Sequence, residues 1–103
     1  MESINIGLAG LGTVAQGFLE IVGQKKRVLS DKLGRELKIA KVASRSQKVD
    51  LEEFGAIFST ELSSLVEDPT IDVVIELIGG ERDALGLISA ALKKNKHVVT
   101  ANK

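Results

Sequence analysis

Cysteine is absent from this 103-residue chain, which removes disulfides, thiolate metal sites and a cysteine nucleophile together. One His cannot by itself build a histidine metal cluster, so metal catalysis is not expected. Trp and Tyr are missing as well, and the aromatics are three Phe, so the core has to be aliphatic. No apolar run approaches the roughly 18 residues that cross a bilayer. Met1-Glu2-Ser3 leads into a strand pattern rather than a basic, apolar leader, so a cytoplasmic protein with no membrane partner is expected. Charge of one sign is lacking too: 14 basic residues balance 14 acidic ones, leaving no global field for nucleic acid. Any anion has to be bound locally. The length suits a single core, and residues 1–103 are expected to be one domain.

What the chain does have is a glycine-rich turn in an informative setting. Residues 4–9 are an Ile- and Leu-rich run that reads as a buried strand. The run enters Gly10-Leu11-Gly12-Thr13-Val14-Ala15 and then a helical pattern without Pro. A G-x-G-x-x-A between strand and helix is where the pyrophosphate of a dinucleotide is held. Gly10 suits the tight turn, Gly12 has no Cβ to keep a phosphate from the backbone, and Ala15 lets the helix sit against the strand. The N–H groups of Thr13 and Val14, at the positive end of the helix dipole, offer an anion site. Glycines also mark structural turns; the strand–turn–helix context is what favours binding.

The spacing predicts a helix over residues 13–30, its apolar side drawn from Val14, Phe18, Leu19, Ile21, Val22, Val28 and Leu29. Gly23 weakens it by about 1 kcal/mol relative to Ala and marks a place for a bend. Gly34 suits a positive φ after the helix. Lys25-Lys26-Arg27 reads as a solvated face. Residues 37–43 alternate and are predicted as the second strand. The residues after it bear on the cofactor, because an acidic side chain there would bind a ribose 2′-hydroxyl and an Arg would accommodate a 2′-phosphate. This chain has Ser44-Arg45-Ser46-Gln47-Lys48 and no carboxylate before Asp50, which favours NADP over NAD, although NAD stays possible. The alternative is that Arg45 and Lys48 are surface charges.

Asp50 with Glu53 matches a capping box for a short helical turn, Ala56-Ile57-Phe58 is a candidate short strand, and Ser59 or Thr60 starts a further helical turn. After Asp68-Pro69-Thr70, residues 71–78 are a largely apolar run rich in β-branched residues, as in a parallel strand covered on both faces. Glu76 interrupts them and must be hydrogen-bonded, paired or at an exposed end. Gly79-Gly80 removes side chains where backbone meets ligand, or simply makes a turn. Ala84, Leu85, Leu87, Ile88, Ala91 and Leu92 form a helical stripe, closed by Asn95 in a left-handed stop. Residues 96–100 are the last strand, with His97 on its surface.

Strands separated by helical segments imply right-handed parallel crossovers and helices on both faces of one sheet. The expected class is α/β, a Rossmann-like doubly wound parallel sheet in three α/β/α layers. That topology gathers the glycine turn, Ser44-Arg45, Ile78-Gly79-Gly80 and Thr100-Ala101-Asn102-Lys103 along one sheet edge, where ligands of such sheets bind.

As a set, these segments resemble homoserine dehydrogenase. The resemblance spans the whole chain and rests on Gly10-Leu11-Gly12-Thr13-Val14-Ala15-Gln16-Gly17, Val74-Ile75-Glu76-Leu77-Ile78-Gly79-Gly80 and Lys96-His97-Val98-Val99-Thr100-Ala101-Asn102-Lys103. It implies hydride transfer between NAD(P)(H) and aspartate semialdehyde or homoserine. The first segment would hold pyrophosphate, the second would line the nicotinamide side, and the third would bring Thr100, Asn102 and Lys103 to the reacting centre. Lys103 matches a lysine that the family places at its active site. Ala15 and Asn95 depart from glycines usual in the family; the fold-level pattern allows Ala at the first place, and Asn is the next best residue for a left-handed stop at the second. The family's substrate and dimerisation region would follow Lys103, so the chain is expected to be the cofactor domain of a homo-oligomeric enzyme and inactive alone. A nucleotide-sensing regulatory module and the first domain of another semialdehyde or amino-acid dehydrogenase are alternatives on the same fold. A sensor would have no chemical need of Thr100-Ala101-Asn102-Lys103.

Overall fold

The computed structural model describes residues 3–47, 50–78 and 81–100. In order these are β1 (Ser3–Ala9), α1 (Thr13–Leu33), β2 (Glu36–Ala43), a 3-10 turn (Glu52–Phe54), β3 (Ile57–Ser59), α2 (Ser63–Glu67), β4 (Val73–Glu76), α3 (Glu81–Lys93) and β5 (His97–Thr100). The strands form a five-stranded sheet in the order β3-β2-β1-β4-β5, with every neighbouring pair parallel. Because the order runs outward from β1 in both directions, the exits of β1 and β4 flank the point where a crevice opens.

The period of two along the strands divides the core between two faces. Ile6 and Leu8 of β1 join Ala15, Leu19 and Val22 of α1 on one side. Ala9 joins Leu65 and Val66 of α2, Val74, and Leu87 and Ala91 of α3 on the other. Helices therefore cover both faces, and the fold is Rossmann-like. Gly7 belongs to the α2 side, where a Cβ would stand 3.1 Å from Leu65 Cδ2 and 3.2 Å from Ile71 Cγ2, so the missing side chain sets how closely α2 approaches. In β2 the register slips opposite Ile6/Gly7. That bulge keeps Val42 on the same face as Leu37 and Ile39, which strict alternation across residues 37–43 would not.

Within α1 the buried row is Ala15, Leu19 and Val22, flanked by Phe18 and Leu29. Val14, Ile21 and Val28 are exposed, contrary to the stripe read from sequence. Residues seven apart stay in register with each other, so this whole row lies to one side of the contact. Leu85 and Leu92 of α3 are exposed for the same reason, whereas Ala84, Leu87 and Ala91 are buried. The interruption of α1 falls at Lys25 (φ −117°, ψ 15°), two residues beyond Gly23. Gly34 and Asn95 adopt the left-handed conformations expected of helix stops, at φ 69° and 61°.

Two short elements differ from expectation. Asp50 Oδ1 accepts from the N–H of Glu52 at 2.9 Å, two residues on, in place of the predicted capping box with Glu53, and the N-cap of the 3-10 turn is Leu51 with no side-chain cap bond. Ser59 Oγ accepts from the N–H of Glu61 at 3.0 Å, making a hydroxyl turn ahead of a helix that starts only at Ser63. β4 is shorter than residues 71–78, yet the N–H of Asp72 and of Leu77 still donate to Asn5 and Ala9 of β1, at 2.8 and 2.9 Å. Among the described residues no helix is long and apolar enough to cross a membrane.

Candidate dinucleotide site

The glycine turn is sewn into the sheet on both sides. Gly10 donates its N–H to Ala43 O at 2.8 Å, and Leu77 donates to Ala9 O at 2.9 Å, so the exits of β1, β2 and β4 are held together. Gly10 has a φ of +106°, and a Cβ there would lie 3.0 Å from the Leu77 carbonyl oxygen. Only glycine meets both demands. Gly12, in extended conformation, caps α1, and a Cβ there would meet no atom within 4 Å. The side chain of Gln16, read from sequence as part of the polar face, reaches back to donate to Leu11 O at 2.8 Å and steadies the turn.

Beside this turn lies an open cleft of about 620 Å³. Gly10, Leu11 and Gly12 line it from the β1 exit, Ser44 and Arg45 from the β2 exit, and Ile78 with Leu77 from the β4 exit. The remaining wall comes from Thr60, Glu61, Leu62 and Ser63 between β3 and α2, which sequence reasoning passed over. β3 is parallel to the others and its exit opens on the same edge; a strand of only three residues carries too little pattern to give that weight. Leu11 is 1% exposed and anchored in the core, so its place in the cleft is structural rather than a side-chain contact. Thr13 and Val14 are exposed at the start of α1 but outside the cleft lining; Thr13 belongs to a neighbouring recess with Gln16 and Glu20. Gly79, Gly80, Asn102 and Lys103 lie outside the described residues, as does Lys48.

Thr100 is also outside the lining. It pairs in register with Glu76, and its hydroxyl donates to Glu76 Oε1 at 2.5 Å. The other carboxylate oxygen, Oε2, accepts the N–H of Ile78 at 2.7 Å. Glu76 is fully buried and hydrogen-bonded, so of the possibilities that the sequence left open the exposed end does not hold. At the opposite edge of the sheet, Lys96 is 8% exposed and donates to the carbonyls of Asp68 and Ile71 at 2.7 and 2.8 Å. Asp68 itself accepts from the hydroxyl and N–H of Thr70 at 2.6 and 2.9 Å and pairs with Lys41 at 3.0 Å. The Thr70 bonds, then Lys41, lower its pKa from 3.8 to about 2. This knot is structural and lies away from the cleft.

A family profile described as "Homoserine dehydrogenase, NAD binding domain" matches residues 10–103. The chain belongs to that family. Homoserine dehydrogenases from Methylobacillus glycogenes and Bacillus subtilis are 37% and 38% identical to it over 100% of its length. It covers only 26% and 24% of those proteins, so it spans about a quarter of the relatives it matches. The crystal structure of the Staphylococcus aureus homoserine dehydrogenase superposes with a TM-score of 0.88 at 31% identity, over 100% of this chain and 27% of that one. The Thiobacillus denitrificans enzyme gives 0.87 at 38% identity, over 99% of this chain and 24% of that one. A levoglucosan dehydrogenase solved with NADH shares the fold, with a TM-score of 0.79 at 18% identity. The cofactor class of this homoserine dehydrogenase domain is thus a nicotinamide dinucleotide.

Proposed function

We propose that the chain is the cofactor domain of an enzyme that interconverts aspartate semialdehyde and homoserine, with NADP as the preferred dinucleotide and NAD possible. The observation that carries this reading is the convergence of the β1, β2 and β4 exits on one cleft beside the N-terminus of α1. The residues there fit the group: Gly12, which lines the cleft and caps α1, leaves open space over the backbone where a phosphate would approach, and the first amides of that helix would meet an anion with the helix dipole behind them. When bound, a nicotinamide ring supplies the hydride chemistry, and the protein supplies orientation and electrostatics. Gly10, Gly12, Thr13 and Val14 take the pyrophosphate, Ser44 and Arg45 take the adenosine ribose with its 2′-phosphate, and Ile78, Gly79, Gly80, Thr100 and Asn102 take the nicotinamide side. Lys103 is the proton-carrying or alkoxide-stabilising group. Substrate binding and homo-oligomer formation are assigned to the rest of a longer chain, in a cytoplasmic setting.

Calorimetric titration with NADPH and NADH tests the reading. Arg45→Ala should weaken NADPH by roughly tenfold, in line with loss of a charge-assisted phosphate contact, and leave NADH nearly unchanged. Equal NADPH affinity in the variant would remove Arg45 from the site.

A further inference from the structure

Among the described residues, the cleft wall has two that carry formal charge: Arg45 at the β2 exit and Glu61 beyond β3. Arg45 has a part in the dinucleotide reading above; Glu61 has none, and a role for it rests on that reading. Both residues are exposed. β2 and β3 run parallel with Ala43 opposite Ser59, so Arg45 and Glu61 each stand two residues past the same rung. The N–H of Ser44 donates to Ser59 O at 3.0 Å and carries the pairing one step beyond the strands. The loop is then pinned at Glu61 itself. Its N–H donates to Ser59 Oγ at 3.0 Å, and its carbonyl accepts from Ser64 Oγ at 2.7 Å and from the Ser64 N–H at 3.1 Å. With the main chain fixed on both sides, Glu61 keeps its carboxylate within one side chain's length of this wall.

A 2′-phosphate and a 2′-hydroxyl make opposite demands on that carboxylate. A phosphate monoester carries about −1.5 to −2 near neutral pH, so Arg45 attracts it and Glu61 repels it. The hydroxyl is neutral, and a carboxylate is a good acceptor for its proton. In dinucleotide folds the acidic residue that takes the hydroxyl follows the second strand. Residues 44–49 hold none here, and the exit of the neighbouring strand supplies one. We propose that Glu61 is a specificity-determining residue of this cleft: its carboxylate opposes the 2′-phosphate that Arg45 attracts, which narrows the preference for NADP and keeps NAD usable. Discrimination by a repulsive element works in this way wherever like charges are brought together.

The test is calorimetric titration of the 103-residue chain, Glu61→Gln and Glu61→Asp with NADPH and NADH. The bonds that pin the loop come from the main chain of Glu61 and survive both changes. Glu61→Gln should raise the ratio of NADPH to NADH affinity about fivefold, chiefly through tighter NADPH binding, and Glu61→Asp, which keeps the charge, should stay within about twofold of wild type. In about 0.5 M salt the gain of Glu61→Gln should largely vanish. An unchanged ratio in Glu61→Gln, equal shifts for both cofactors, a gain that persists in salt, or an equal gain in Glu61→Asp would overturn the assignment. Wild-type protein that binds neither cofactor refutes the cleft reading itself; wild type that binds them, with Glu61→Gln binding identically, refutes the role of Glu61 alone.

Discussion

Gly10 and Gly12 stand two residues apart and lack a side chain for different reasons. At Gly10 the backbone is at φ +106° with the Leu77 carbonyl 3.0 Å from where a Cβ would be, so Gly10→Ala strains the fold by at least about 2 kcal/mol. At Gly12 the conformation is ordinary and the space is empty, so Gly12→Ala should melt like wild type yet bind dinucleotide at least about tenfold more weakly. Thermal unfolding and calorimetry on the pair separate the two roles; a Gly12→Ala protein with full affinity would mean that no phosphate passes there. The tight turn at Gly10 was legible in the sequence because a turn between strand and helix narrows what a glycine can be for. The partners of Glu76 were not, since Thr100 lies 24 residues further on and only the β4–β5 register brings the two together. Gln16 and Lys96 were missed because a long polar side chain that turns back onto a carbonyl leaves no trace in hydrophobic spacing.

Among the elements, the exposed helix rows and the shortened β4 show where pattern alone gives out. Val14, Ile21 and Val28 repeat every seven residues, as a buried row would, and only the direction from which the sheet meets α1 excludes them. The connection between α2 and β4 is held differently, by the knot of Asp68, Thr70 and Lys41, with Lys96 on the neighbouring carbonyls. Asp68 titrates at about 2 in the folded protein against 3.8 ordinarily. Its contribution is therefore complete above pH 3.8 and is lost as the pH falls through about 2. Asp68→Asn keeps an acceptor for Thr70 and loses the ion pair, which in a partly solvated site is worth about 1 kcal/mol. Urea unfolding at pH 6 should show that difference, and it should close towards pH 2; a gap that persists in acid would assign the effect to packing.

For the whole molecule, the parallel sheet with helices on both faces was the most legible feature, because alternating apolar strands and amphipathic helices admit few other arrangements. The chain matches only about a quarter of the length of its relatives, and binding and turnover should separate accordingly. The 103-residue protein is expected to bind dinucleotide and to give no reduction of NADP with homoserine in a spectrophotometric assay; measurable turnover would show that the chemistry needs nothing beyond this domain. The hydrogen bonds from Gly10 to Ala43 and from Leu77 to Ala9 carry one more consequence. These bonds fix the turn against its neighbouring strands, so much of the entropy of shaping it was already spent when the sheet assembled, before any ligand arrives.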